Sequence, residues 1–271
     1  MTHTITEYKT AATGPAIPAL ERGLDVLERI SGLDGPLTLT AIARMCGRSV
    51  SELQRVVACL HRRGYLYRDA AGAYRVSSKL FRLGQVCPPF QDLLAHARPA
   101  MREFSRRTGR AMHIGTLAED LLLILANITG PAYLQLAVTV GSTHDPLASA
   151  SGRVLLAAMP GQEFEAFAER NKLGPRQVKS LRPQLAAIRR RGYEFVESHL
   201  FSGVYDLALG VPGPDGRCLA AVACSWLRPR DGASGGKDKP LRTLLPELQD
   251  CAGHISAAFD PVSSLSGEVM S

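Results

Sequence analysis

From Ser49 to Arg55 the chain reads Ser-Val-Ser-Glu-Leu-Gln-Arg. Hydroxyl, amide and guanidinium groups set this close together suit phosphate oxygens and base edges. Leu53, Val56, Val57 and Leu60 recur at i, i+3, i+4 and i+7, so the segment is an amphipathic helix with one buried face. Ser51, Glu52, Gln54 and Arg55 then fall on or near the other face, at the N-terminal end. Either Ser49 or Ser51 can cap the helix. Glu52 stands apart from its neighbours, because a carboxylate is repelled by phosphate unless it accepts from a cytosine amino group.

The flanking segments say how these side chains are presented. Leu39 to Cys46 is a shorter helix that Thr38 can cap, and Gly47 turns the chain into the second one. After Gly64, Tyr65-Leu66-Tyr67-Arg68 and Tyr74-Arg75-Val76 flank a polar turn from Asp69 to Gly72, the pattern of a two-stranded hairpin. Helix, turn, helix and hairpin make a winged helix-turn-helix, whose second helix reads the major groove with its first residues. The expected DNA-binding residues are Ser49, Ser51, Glu52, Gln54 and Arg55, with Arg68 and Arg75 placed for a wing to touch phosphate. A further helix from Ile17 to Ser31, with Leu20, Leu24, Leu27 and Ile30 as its expected core stripe, completes the module.

Charge follows the same division. Residues 18–84 hold 11 Lys or Arg against 6 Asp or Glu, an excess of five, which leaves only +2 of the net +7 for the rest of the chain. A positive excess gathered on the small N-terminal third is an electrostatic footprint for a polyanion. The 271 residues suffice for two domains with cores. No apolar run approaches the roughly 20 residues of a membrane helix, and residues 1–13 lack a signal-peptide core, so the expected location is the cytoplasm, with no membrane partner. The six cysteines, at positions 46, 59, 87, 218, 224 and 251, form no CxxC pair, and no His-rich ligand cluster accompanies them. Neither a metal site nor a cofactor is expected. Cys218 and Cys224, six apart on one expected strand, should face the same side, which leaves a thiol-redox role open.

The opening helix Ala19-Leu20-Glu21-Arg22-Gly23-Leu24-Asp25-Val26-Leu27-Glu28 resembles that of the IclR family of bacterial transcription regulators. The resemblance continues through Gly47, Ser51, Arg55, Leu60, Gly64-Tyr65, Tyr74-Arg75 and Leu83-Gly84. Glu52 departs from it, standing where the family has a small hydroxyl residue. The C-terminal half resembles the family's effector-binding domain through Ala148 to Ala157, Arg191-Gly192-Tyr193, Gly203-Val204 and the Asp215-Gly216 turn. The resemblance implies an α+β chain, with a winged helix-turn-helix joined by a linker to a GAF-like effector-binding domain. The expected divisions are a disordered tail at 1–16, the DNA-binding domain at 17–84, a linker at 85–94 broken by Cys87-Pro88-Pro89, the effector and oligomerisation domain at 95–262, and a tail at 263–271.

In that second domain, strands are expected at Ala111–Leu117, Leu121–Ile128, Tyr133–Val140, Tyr193–Glu197, Val204–Val211 and Cys218–Trp226. Helices are expected at His96–Thr108, from Ser149 or Ser151 to Met159, at Gln162–Asn171 and at Arg182–Arg191, with a last one ending near Phe259. The helix after Ala148 points the backbone N–H groups of Ala150, Ser151 and Gly152 outward, where its dipole favours an anion. A plain N-cap would account for one serine without a ligand. The family pattern places the pocket at Ala150, Ser151, Asp206, Ala223 and Ser225. Ala223 and Ser225 share one face of their strand, as a pocket wall requires. Asp206, among apolar neighbours, either pairs with a cation or meets a ligand, or closes its strand end in water; inside the pocket it would disfavour a simple carboxylate ligand or require an arginine beside it.

The expected function is a DNA-binding transcriptional regulator that engages a palindromic operator as a homodimer or homotetramer. A small organic effector, aromatic or carboxylate, would tune it by unequal affinity for two states. The alternatives are a thiol-redox regulator on the same scaffold and an enzyme using the C-terminal pocket. For the enzyme, Ser151, His144 and Asp145 would form a hydrolytic set, but no GxSxG elbow accompanies them, and no catalytic residue is expected.

Overall fold

The computed structural model describes residues 16–31, 33, 35–85, 88–131, 135–199, 201–213, 215–228 and 238–259. Residues 1–15 of the tail expected at 1–16, and the whole of that expected at 263–271, lie outside these residues. The chain divides into two compact units, residues 1–91 and 92–271.

The first unit contains α1 (Pro18–Ile30), α2 (Leu39–Met45), α3 (Val50–Arg62), β1 (Leu66–Arg68), β2 (Tyr74–Val76) and α4 (Lys79–Gln85). Thr38 caps α2 by accepting from the Ala41 N–H at 3.2 Å. Gly47, at φ +63°, supplies the left-handed residue that turns α2 toward α3. β1 and β2 pair antiparallel, and Leu37 bridges to Tyr74. The core is Val26, Leu27, Ile30, Ile42, Ala43, Leu53, Val57 and Leu66. The stripe of α1 differs from expectation. Leu20 and Leu24 are 56% and 48% exposed, while Gly23, Val26, Leu27 and Ile30 are buried. The helix packs on α3 through the side that carries Gly23, where a Cβ would stand in ordinary contact with the Val56 methyl, 3.8 Å away.

Two prolines open α5 (Pro88–Thr108), which therefore occupies most of the expected linker. Proline breaks a helix interior but is tolerated in its first turn, where the missing N–H had no partner. Beyond it lie β3 (Met112–Ala118), β4 (Leu121–Ile128), β5 (Thr143–His144), α6 (Ala150–Ala158), α7 (Gly161–Arg170) and α8 (Pro175–Arg191). They are followed by β6 (Tyr193–Glu197), β7 (Val204–Pro212), β8 (Cys218–Leu227) and α9 (Asp238–Ala257). The sheet order is β5-β4-β3-β8-β7-β6, antiparallel throughout. Glu119 and Asp120, both at positive φ, make the tight β3–β4 hairpin. No strand forms over 135–140, and Tyr133 and Leu134 lie outside the described residues. The edge of β4 is taken instead by residues 141–144: Gly141 donates to the Ile124 carbonyl and Ile124 to that of Ser142. The apolar side chains of Leu136 and Val138 are used for packing and lining rather than pairing.

Register decides which side chains share a face. His113, Ala223, Ala208 and Glu194 lie directly opposite one another across β3, β8, β7 and β6, and Ser225, Asp206 and Val196 follow two residues along. This face meets α6 and α8 through Val154, Leu155, Leu156, Leu185 and Ile188. Leu207 and Cys224 turn to the opposite face, and α9 packs against β7 and β8. Cys218 does not share a face with Cys224 as expected. The register slips between Val211 and Pro212, and Cys218 packs with the α6 cluster.

Small residues let α6 lie close. A Cβ on Gly152 would sit 2.3 Å from the Pro146 Cα. Gly152→Ala should therefore destabilise the protein by about 1–3 kcal/mol, measured by urea unfolding. An unchanged midpoint would show that the 146–152 turn yields freely.

Candidate DNA-reading helix and effector cavity

Ser49 is the N-cap of α3 and forms a capping box with Glu52. The Glu52 carboxylate accepts from the Ser49 N–H at 2.9 Å and from its hydroxyl at 2.8 Å. The backbone hydrogen bond, followed by the hydroxyl, holds the Glu52 carboxyl below its usual range. Both bonds fall on Oε2, so Glu52 finishes the helix end, and the departure from the family pattern has a local structural use. Ser51, Gln54 and Arg55 are exposed. Ser51 Oγ lies 3.1 Å from Ser49 Oγ.

The two wing arginines differ. Arg68 is folded onto its own turn: Nε donates to the Gly72 carbonyl at 3.2 Å and the guanidinium lies 5.5 Å from the Tyr74 ring centre. Arg75 stands exposed opposite Tyr67, itself 59% exposed, on the outer face of the hairpin.

In the second unit a cavity of about 200 Å³ opens between the start of α6, the sheet and the segment before β5. Ala150, Ser151, Asp206 and Ser225 line it. Gly152 and Ala223 do not: Gly152 is pressed on Pro146, and Ala223 is fully buried in the core under α6. The cap role falls to Ser149, whose hydroxyl accepts from the Gly152 N–H at 3.1 Å. Ser151 is thereby released to meet His113, Oγ to Nε2 at 3.0 Å. Ser225 donates to Asp206 Oδ1 at 2.6 Å. Asp206 thus faces the cavity rather than closing a strand end in water.

Three histidines complete the lining, with Leu136, Val138 and Phe201 as apolar wall. His113, His144 and His199 come from separate segments, so no sequence spacing announces them together. Burial, and then the charge of His144, push His113 down to about 4, so it is neutral near pH 7. Burial pushes Asp206 up, against the opposing effects of the Ser225 hydroxyl and His199. The hydrolytic set Ser151, His144 and Asp145 does not assemble: His144 Nε2 lies 2.8 Å from Ser142 Oγ, and Asp145 accepts from the Leu147 N–H.

Burial raises the thiols of Cys46, Cys218, Cys224 and Cys251, the last two to about 12. Reactive thiols require the opposite shift. Among the described residues no group of three or more His, Cys, Asp or Glu is placed to hold a metal ion, and no helix is long and apolar enough to cross a membrane.

A winged helix-turn-helix on the same chain as an antiparallel-sheet domain with a lined cavity defines a DNA-binding transcriptional regulator with an effector domain. The chain belongs to the IclR family: the IclR helix-turn-helix domain matches residues 19–70, and the C-terminal domain of the bacterial transcriptional regulator IclR matches residues 90–257. Over 252 residues it is 28% identical to the HTH-type transcriptional regulator XynR of Escherichia coli, covering 90% of this chain and 98% of that one. It is 27% identical over 251 residues to the glycerol operon regulatory protein of Streptomyces coelicolor, covering 89% and 95%. An IclR homologue from Microbacterium hydrocarbonoxydans, solved in complex with 4-hydroxybenzoate, shares the fold at a TM-score of 0.72 and 22% identity, covering 89% and 98%.

Ser49→Ala removes the cap of α3 and should cost about 1 kcal/mol of local stability. Faster amide hydrogen exchange across residues 50–56 is the expected readout; unaltered exchange would mean that the capping box does not hold the helix end.

Proposed function

We propose that the protein binds a palindromic operator in the cytoplasm as a homodimer or homotetramer, and that a small organic effector in the α6 cavity changes its operator affinity. Ser51, Gln54 and Arg55 meet base edges or nearby phosphates, Ser49 and Glu52 hold the end of the reading helix, and Arg75 and Arg68 meet phosphate from the wing. Two-fold operators suit this module because one short helix reads few bases, and a second copy supplies affinity and register. Ala150, Ser151, Asp206 and Ser225 contact the effector, joined by His113, His144 and His199.

The observation that carries the effector assignment is the cavity itself, where Ser151, Asp206 and Ser225 converge with three imidazoles. Polar groups gathered on an otherwise apolar wall are what fixes the orientation of a small ligand. Its size supports a ligand of one ring, since a cavity of about 150 Å³ accommodates benzene. The 4-hydroxybenzoate bound by the Microbacterium homologue is a ligand of that class. The protein is read as a regulator without catalytic activity, and the raised thiols argue against the redox alternative.

Fragmented genomic DNA retained by the purified protein should contain a short palindromic motif near a few promoters. Retention without a motif, weakening equally with salt for every fragment, would indicate only nonspecific electrostatic binding. Arg55→Ala should weaken operator binding by about 1–3 kcal/mol and relax discrimination at one base step; equal affinity on all sequences would remove Arg55 from the interface. Ser151→Leu should fill the cavity, abolishing the effector response in an operator-shift titration while leaving DNA binding intact. A surviving response would place the effector elsewhere.

A further inference from the structure

The cavity has an unusual charge inventory. Among the described residues no lysine or arginine lines it. Its ionisable groups are His113 on β3, His144 on β5, His199 between β6 and β7, and Asp206 on β7. The other faces, from β4, β8, residues 136–138 and the start of α6, contribute apolar side chains and serines. Neighbouring charges are engaged elsewhere. Glu197 accepts from the Gly203 N–H and the Tyr205 hydroxyl, and Arg153 is committed to Glu194 and Gln184. Ser225 donates to Asp206 at Oδ1.

A carboxylate effector entering this space would meet a buried carboxylate with no fixed cation to offset the repulsion. Two carboxylates in one site do not both stay ionised, and one of them takes a proton. We propose, on the reading that this cavity is the effector site, that it takes one-ring carboxylic acids together with one proton from solvent, carried on Asp206, whose Oδ2–H then donates to the effector carboxylate. The balance is one anion and one proton in, with net charge unchanged. Ser225, fixed on Oδ1, leaves Oδ2 as the oxygen that is protonated.

The sign follows from linkage. The bound anion raises the proton affinity of Asp206, so binding takes up a proton, and affinity rises as pH falls through the window between its pKa values in the bound and free states. Burial already raises the free-state value, which moves that window toward neutrality. His113 remains neutral there, as its lowered value requires. His144 is also lowered by burial and then by His199; His144 and His199 are the other groups of the cavity able to accept a proton.

The test is calorimetric titration of the full chain with benzoate and with 4-hydroxybenzoate, in phosphate and in Tris, repeated at several pH values, on the wild type and on Asp206→Asn. In the wild type the expected result is uptake of about one proton per site and an affinity loss of up to about tenfold per pH unit on raising pH. In Asp206→Asn the amide imitates the protonated acid, so both acids should bind with no uptake, with a flat pH profile, and more tightly than wild type at the alkaline end. Wild-type binding without proton uptake would overturn the proposal while leaving the cavity as the effector site. Loss of binding in Asp206→Asn would overturn it too, since it would show that the carboxylate form is the one needed. Persistence of uptake in Asp206→Asn would overturn the proposal by placing the proton on a cavity histidine, His144 or His199. Failure of both acids to bind either protein would sink the proposal together with one-ring acids as effectors.

Discussion

Close contact between α6 and the sheet is the constraint on which the second unit depends. The sheet offers Gly115, Ala208, Gly210, Ala221 and Ala223 on the strands under this helix, and Gly152 lets the helix start lie on Pro146. Close-packed interiors leave little space larger than a water molecule. Space appears where the small residues give way to Asp206, Ser225 and His113, and where β4 stops pairing with a full-length strand. The same packing that buries the apolar face of α6 therefore aims its first turn at polar side chains from three strands.

Capping chemistry divides the labour among similar residues. Ser149 and Ser151 are two residues apart and chemically alike. Ser149 closes the helix end and Ser151 turns to His113. Ser49 and Ser51 repeat this arrangement at the start of α3, where Ser49 caps and Ser51 is exposed. In both helices the N-cap satisfies an orphan N–H, and the hydroxyl two residues on is not needed for that task. The two ends differ in setting. That of α3 is open to solvent, suited to a large polyanion, whereas that of α6 faces a small cavity.

Charge is managed differently in the two units. The first carries its excess on exposed arginines, where attraction for a polyanion is long-ranged and weakened by salt. In the second, the buried Glu194 is paired with Arg153 and Arg191, and among the described residues no lysine or arginine lines the cavity. A ligand's charge then has to be balanced by titration, because an unpaired buried charge is too costly to persist.

The sequence by itself determined the class of protein and most of its elements, though not the helix that opens on Pro88-Pro89 or the lack of a strand over 135–140. The 3.6-residue period of Leu53, Val56, Val57 and Leu60, the Gly47 turn, the polar hairpin and the gathered positive charge are local signals, and local signals survive without tertiary knowledge. Ser151, Asp206 and Ser225 were legible through the pattern they share with relatives. Only the tertiary structure decided the rest. Which face of α1 is buried was set by its packing on α3, which takes Gly23, Val26, Leu27 and Ile30 inward and leaves Leu20 and Leu24 exposed. Cys218 and Cys224 were separated by a register slip that strand alternation does not record. Gly152 and Ala223 were withdrawn from the cavity because packing needed them. His113, His144 and His199, far apart in the chain, were brought together by strand order, which is set by pairing between distant segments rather than by the residues themselves.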